Sequence, residues 1–190
     1  MNSQLAKQSL ASLIPMHLPS QKFQDYLLSL SAVSSPHSTR SLYEHLVGTY
    51  SILKGWECKE EVCRAGLFHS VYSTPDYLRD NGEVPARDEL RKLIGKGAEA
   101  LVFQFSKLGH RGILQMVEQA ERIPNDFRTK SALLEICLAN MLDQSPFLDH
   151  SFFSGLIERD RSLWKRSLPV VSPLAQLALS KLLAENPIQD

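Results

Sequence analysis

Three histidines, His37, His45 and His69, fall close along the chain to Arg40, Ser70 and Tyr72. Imidazole exchanges protons near neutral pH and also ligates metal ions. His45 and His69 are 24 positions apart, the length of one helix-turn-helix unit, so two successive helices can bring both rings to the same end of a pair. Arg40, five residues before His45, carries the fork that binds phosphate or carboxylate bidentately; an ion pair with Glu44, four positions on, is the competing reading. The chemistry open to this set is acid–base work by His45 or His69, with Ser70 or Tyr72 positioning a substrate. Taken singly, each histidine reads as a hydrogen-bonded core residue. Together, on successive apolar helices and with polar neighbours, they read as a site.

The elements that must position these residues follow from the apolar pattern. His69 lies in a stretch with no charge between Arg64 and Asp76, preceded by Glu60-Glu61 and closed by Pro75. Such a stretch predicts a helix of about three turns enclosed by other helices, around which the chain is organised. Each polar group on it must find a partner or cost about 1–3 kcal/mol. His45 falls in a helix predicted to begin at Ser38 or Thr39 and to end at Lys54-Gly55, with Ser41 and Glu44 in capping-box spacing. Leu42, Leu46, Thr49 and Leu53 form its inward stripe, with His45 at the edge of that stripe. Further helices are predicted over 3–14, 21–32, 87–94, 96–108, 113–122, 127–143, 150–166 and 173–184, with a turn-rich loop at 75–86 and a break at Gly109–Gly112. No alternating strand pattern and no internal repeat is present, so the expected architecture is all-α, with about eight or nine short helices.

The pattern His45-x(23)-His69-Ser70-Val71-Tyr72, set in Ala65-Gly66-Leu67-Phe68-His69-Ser70, resembles the HD superfamily of metal-dependent phosphohydrolases. It is most similar to the hydrolase domain of the stringent-response alarmone enzymes, and the similarity extends over roughly 37–145. Leu138-Ala139-Asn140-Met141-Leu142 looks like the segment that supplies the family's last metal-binding Asp, and Arg91-Lys92-Leu93-Ile94-Gly95 like its intervening helix. An uncharacterised bacterial family that shares His-Ser-x-Arg and Leu-Phe-His-Ser-Val-Tyr is also similar. The resemblance implies one HD-like domain over 1–190, with a core at 37–145 and with N-terminal helices (1–33) and C-terminal helices (148–185) packed on it. It also implies that the metal positions of the family fall on His45, His69, Ser70 and Asn140, and its two catalytic carboxylates on Ser73 and Thr74.

Four carboxylates have thus given way to hydroxyls and an amide. A His-His-Ser-Asn set offers no negative charge to offset the desolvation of a divalent ion, so a dinuclear centre is not expected. A single Fe, Zn or Mn ion held by His37, His45 and His69, with Asp143 reaching back one helical turn from beyond Asn140, is the metal-bearing form. The expected function is a degenerate hydrolase that processes or binds a small anionic metabolite. His45, His69, Ser70 and Tyr72 would be catalytic, and His37, Arg40 and Asn140 would bind the ligand. Two alternatives stand beside it: a non-catalytic HD-like binding or interaction module, and a mononuclear iron HD-type oxygenase.

Composition narrows the partners. The chain of 190 residues is 43% hydrophobic and 22% charged, with 21 basic against 21 acidic residues and a pI near 7. No global field draws it to nucleic acid or to a membrane surface. No apolar run approaches a membrane span or a signal-peptide core, and Cys58, Cys63 and Cys137 match no zinc spacing, so cytoplasmic residence with reduced thiols is expected. Phe152, Phe153 and Trp164 near the C-terminus are either core or a homodimer face.

Overall fold

The computed structural model describes residues 16–30, 36–37, 40–72, 84–118 and 127–187. Nine α-helices lie among them: α1 (Gln21–Ser29), α2 (Leu42–Gly55), α3 (Glu60–Leu67), α4 (Arg87–Ile94), α5 (Lys96–Gln115), α6 (Phe127–Gln144), α7 (His150–Arg159), α8 (Arg161–Ser167) and α9 (Pro173–Glu185). A two-residue ladder pairs Pro36 with Ser41 and His37 with Arg40 just before α2. The protein is all-α, and no helix among the described residues is long and apolar enough to cross a membrane. The helix expected over 3–14, the residues Ser73 and Thr74, most of the loop expected at 75–86 and the side chain of His37 lie outside the described residues.

The expected capping box forms. Ser41 Oγ accepts from Glu44 N, and Glu44 Oε2 accepts from Ser41 N at 2.8 Å, so the helix starts at Leu42, later than expected. A cap that satisfies two orphan N–H groups fixes the boundary, and it leaves Arg40 extended in the short ladder. Glu44 is thereby committed to Ser41, which removes it as the partner of Arg40.

The element at the centre is α6. From Ala132 to Asp143 every residue is buried, so the helix is enclosed on all sides. Each fully buried Leu or Ile on such a helix contributes about 1.5–3 kcal/mol of transfer free energy. Three of its four buried polar residues, Lys130 being the fourth, are each bonded to a different part of the fold. Glu135 accepts from Ser172 N at 2.8 Å and from the Cys58 thiol at 3.5 Å, joining the start of α9 to the turn between α2 and α3. Asn140 reaches α5, and Asp143 reaches α2 with its preceding ladder. Since an unsatisfied buried polar group is costly, these three pairings set the axial position of α6 against its neighbours.

Three expectations about the helices need correction, the simplest being that the helix expected over 150–166 divides at Asp160 into α7 and α8. The helix through His69 stops at Leu67, so His69, Ser70 and Tyr72 lie in the turns after α3. His69 Nδ1–H donates to Gly66 O at 2.7 Å, and the side chain thereby takes a carbonyl that a continuing helix would have used. Phe153 and Trp164 are core residues, which leaves Phe152 alone of the three exposed. The α5 helix kinks at Gly109, whose φ of 61° is open to glycine, and resumes at once with His110 rather than after Gly112.

Candidate functional site

His45 is delivered by the second turn of α2 and is 1% exposed, so it sits inside the stripe rather than at its edge. Its Nδ1–H donates to Asp143 Oδ2 at 2.6 Å. Arg40 Nη2 donates to the same carboxylate oxygen and also to Asp143 O at 3.0 Å. One oxygen therefore takes two donors, which explains why Arg40 Nη2 and His45 Nδ1 lie only 3.3 Å apart without being bonded to each other. The Arg40 guanidinium lies over the Phe147 ring, 4.2 Å from its centroid, and its side chain is 14% exposed, making it the outermost member of the group.

Asp143 fits here because Gly48 faces it. A Cβ at position 48 would fall on Asp143 Oδ1 and 2.7 Å from Cγ. The absence of a side chain on this turn of α2 is what lets the carboxylate reach His45, three residues earlier on the same helix.

With the proton on Nδ1, the lone pair of His45 is on Nε2. Gln144 Nε2 lies 3.4 Å from it and donates at 3.0 Å to Asn140 Oδ1. The Asn140 amide nitrogen in turn donates to His110 Nε2. Aromatic contacts return the path to its start: His110 meets Phe105 at 5.7 Å between centroids, Phe105 meets His69 at 5.2 Å, and His69 meets His45 edge-on at 5.2 Å. Six side chains thus form a closed circuit in which the helices of His45 and Asn140 and the turn of His69 converge. Crowding disfavours the His110 imidazolium, desolvation first and the charge of His45 second, lowering its pKa to about 4. The residue as a whole remains exposed while Nε2 is turned inward, so solvent screening damps the energetic weight of this shift.

Of the residues expected at the site, the structure brings together Arg40, His45, His69 and Asn140, with Ser70 buried next to His69 in the chain. Tyr72 does not join them through its hydroxyl, which donates to Glu99 at 3.0 Å in a separate cluster. Asp143 does reach back from α6, but as the partner of His45 Nδ1 and Arg40 rather than as a metal ligand. Three members were missed. His110 was hidden in a Gly109–Gly112 segment read as a break, Gln144 lay one turn past Asn140, and Phe105 fell within the helix expected over 96–108 with nothing to set it apart. The glycine immediately before a histidine was the one available signal.

The donor set tests whether a metal fits. Asp143 Oδ2 is occupied by a guanidinium and an imidazole N–H, and Asn140 Oδ1 by Gln144. No group of three His, Cys, Asp or Glu among the described residues is arranged to hold an ion. Among the described residues, a divalent cation here would meet the imidazoles of His45, His69 and His110 and a carboxylate whose Oδ2 is already held by Arg40 and His45, so these residues do not fit the metal centre that the HD resemblance implies.

Comparison with known families gives one match. Residues 26–109 fit the model of a family described as a domain of unknown function (DUF6817). Neither the curated proteins nor the solved structures yield a match. The matching segment carries Arg40, His45 and His69 and ends at the Gly109 kink, so the α6 half of the circuit lies beyond it.

Proposed function

We propose that this protein is an HD-like module in which the His45–Asp143 dyad, in place of a divalent metal, handles a proton on a small anionic ligand that enters past Arg40. The observation that carries this reading is the 2.6 Å bond from His45 Nδ1 to Asp143 Oδ2. A buried carboxylate on Nδ1 selects the tautomer with a basic Nε2 and stabilises the imidazolium that forms when Nε2 takes a proton. Asp143 is then a positioning residue, and His45 the group that meets the ligand. Gln144 borders Nε2, and the His69 ring packs against that of His45. Arg40, held over Phe147, supplies a fixed positive charge at the outer side.

The test uses protein prepared without a His tag and treated with chelator, assayed against panels of small phosphoesters and carboxylates. Turnover that survives chelation and disappears in His45→Asn and Asp143→Asn supports the dyad. Turnover that requires an added divalent ion rejects it.

The non-catalytic module is the second reading, and a separate observation favours it. The positive charge of Arg40 is already balanced by Asp143, and His45, His69, Asn140 and Asp143 are all buried, as in a polar network that joins helices. A ligand that binds wild type and Asp143→Asn equally, with no turnover in either, decides for the module.

A further inference from the structure

We infer that Arg87 and Arg91, anchored on Glu99, form a binding site for a phosphate group. It is a second site, whose hydrogen-bonded groups are distinct from those around His45, and it does not depend on the reading above.

Glu99 lies in the first turn of α5 and is completely buried. Its Oε1 accepts from Arg87 Nε at 2.6 Å and from the Tyr72 hydroxyl at 3.0 Å; its Oε2 accepts from Arg87 Nη2 at 3.1 Å and from Arg91 Nε at 2.9 Å. Four donors saturate a carboxylate. One cation would balance its charge, so the second arginine is in excess. Asp88, largely exposed, takes only Arg91 Nη1 at 2.9 Å. Lys107 adds a further cation, its Nζ 5.3 Å from the centroid of the Phe103 ring, over which the Arg87 guanidinium also lies at 3.6 Å. Over residues 87–107 Arg87, Arg91, Lys92, Lys96 and Lys107 stand against Asp88, Glu89 and Glu99, five basic against three acidic residues, which leaves a local positive charge on a chain whose formal net charge is zero.

Geometry adds what charge alone lacks. Arg87 uses Nε and Nη2 inward and rests on Phe103, and no acceptor among the described residues takes its Nη1, with 39% of the side chain exposed. Arg91 commits Nε and Nη1 and keeps Nη2, with 37% of the side chain exposed. Both guanidinium groups are held in place by Glu99 before any ligand arrives, which removes most of the side-chain ordering that binding ordinarily costs. Planar guanidinium groups with outward N–H bonds match the several oxygens of phosphate, and a phosphate dianion suits a site bearing excess positive charge.

The experiment titrates wild-type protein in phosphate-free buffer with inorganic phosphate and, separately, with glycerol 3-phosphate, following the arginine Nε–Hε signals by 15N-resolved NMR. Saturable shifts of the Arg87 and Arg91 signals are expected. Tighter binding of the ester assigns the site to phosphomonoesters, and equal binding to free phosphate. Arg87→Lys, which keeps the charge but loses the planar group that Glu99 anchors with Nη1 outward, should weaken binding roughly tenfold. Absence of saturable shifts with both ligands in wild type overturns the site, however the variant folds. Equal affinity in a folded Arg87→Lys protein overturns it too.

Discussion

Asp143 Oδ2 lies 2.6 Å from His45 Nδ1, across 98 positions of sequence and against the one turn of α2 where Gly48 leaves room for it. The pair joins the two helices that carry most of the candidate site, and Arg40 closes it from outside. Its energetics and its chemistry are therefore separable by mutation.

Asp143→Asn keeps the shape and removes the charge. The Arg40 guanidinium and the His45 N–H then face a weaker acceptor in a buried setting, and stability should fall by about 3 kcal/mol. Urea unfolding monitored by circular dichroism measures this; a loss below about 0.5 kcal/mol, the scale of a surface pair, would show the bond to be incidental.

Gly48→Ala places a methyl group on Asp143 and should destabilise by about 1–3 kcal/mol. The cost belongs to the contact and not to the helix, in which alanine is the better former. In an Asp143→Ala background the same substitution should be neutral or stabilising. A double-mutant cycle reads the difference, and additive effects would contradict the placement of Asp143.

His110 gives a pH signature. Its folded-state pKa, about 4, lies below the ordinary value of 6.5. Above pH 6.5 it is neutral in both states and contributes no pH dependence. Between pH 6.5 and 4 the unfolded chain binds the proton and the folded chain does not, so stability falls as the medium is acidified through this window. The difference in unfolding free energy between wild type and His110→Gln, measured at several pH values, should change across that interval. A difference that stays constant there would mean that His110 titrates as it does in the unfolded chain.

The Glu99 cluster should respond asymmetrically. Burial raises the pKa of this carboxyl, but hydrogen bonds from Arg87, Arg91 and Tyr72 outweigh it and hold the pKa below its ordinary value. Its stabilising contribution is accordingly present at neutral pH and lost as pH falls through the lowered folded-state value. Glu99→Gln leaves two half-exposed arginines that water can solvate, at a cost of about 1–2 kcal/mol. Arg87→Ala with Arg91→Ala instead strands a buried carboxylate and should cost about 3–5 kcal/mol. Equal losses in chemical denaturation would argue against Glu99 as the buried anchor.

Thiol labelling offers a check on the core. Burial raises the pKa of all three thiols, with Glu135 adding to the effect at Cys58 and Glu60 at Cys63, the latter reaching about 12. Native protein at pH 8 should therefore react with iodoacetamide far more slowly than unfolded protein. Rapid labelling of any one cysteine in the native state, read by mass spectrometry, would place that residue in a less enclosed environment.

The all-α architecture was legible in the chain because helical periodicity and stop signals are local. Ser41 and Glu44 announce the start of α2, Lys54-Gly55 its end, and Leu42, Leu46, Thr49 and Leu53 its buried face, all within a few turns of backbone. The convergence of His45, His69 and Asn140 was likewise expected from motif order. What the chain could not show is which polar side chain bonds which. Arg40 had a candidate partner four residues away in Glu44, which the local capping box ties to Ser41, and only the fold, by bringing α6 alongside α2, gave Arg40 and His45 the same carboxylate. Tyr72 looked like a neighbour of His69 until the end of α3 at Leu67 turned its hydroxyl to Glu99. His110 entered the site through a kink at Gly109 that sequence marks as a break without giving its direction. Local backbone preferences act over one or two turns, whereas a buried hydrogen bond depends on where two distant helices come to rest, and that position is fixed by packing around α6.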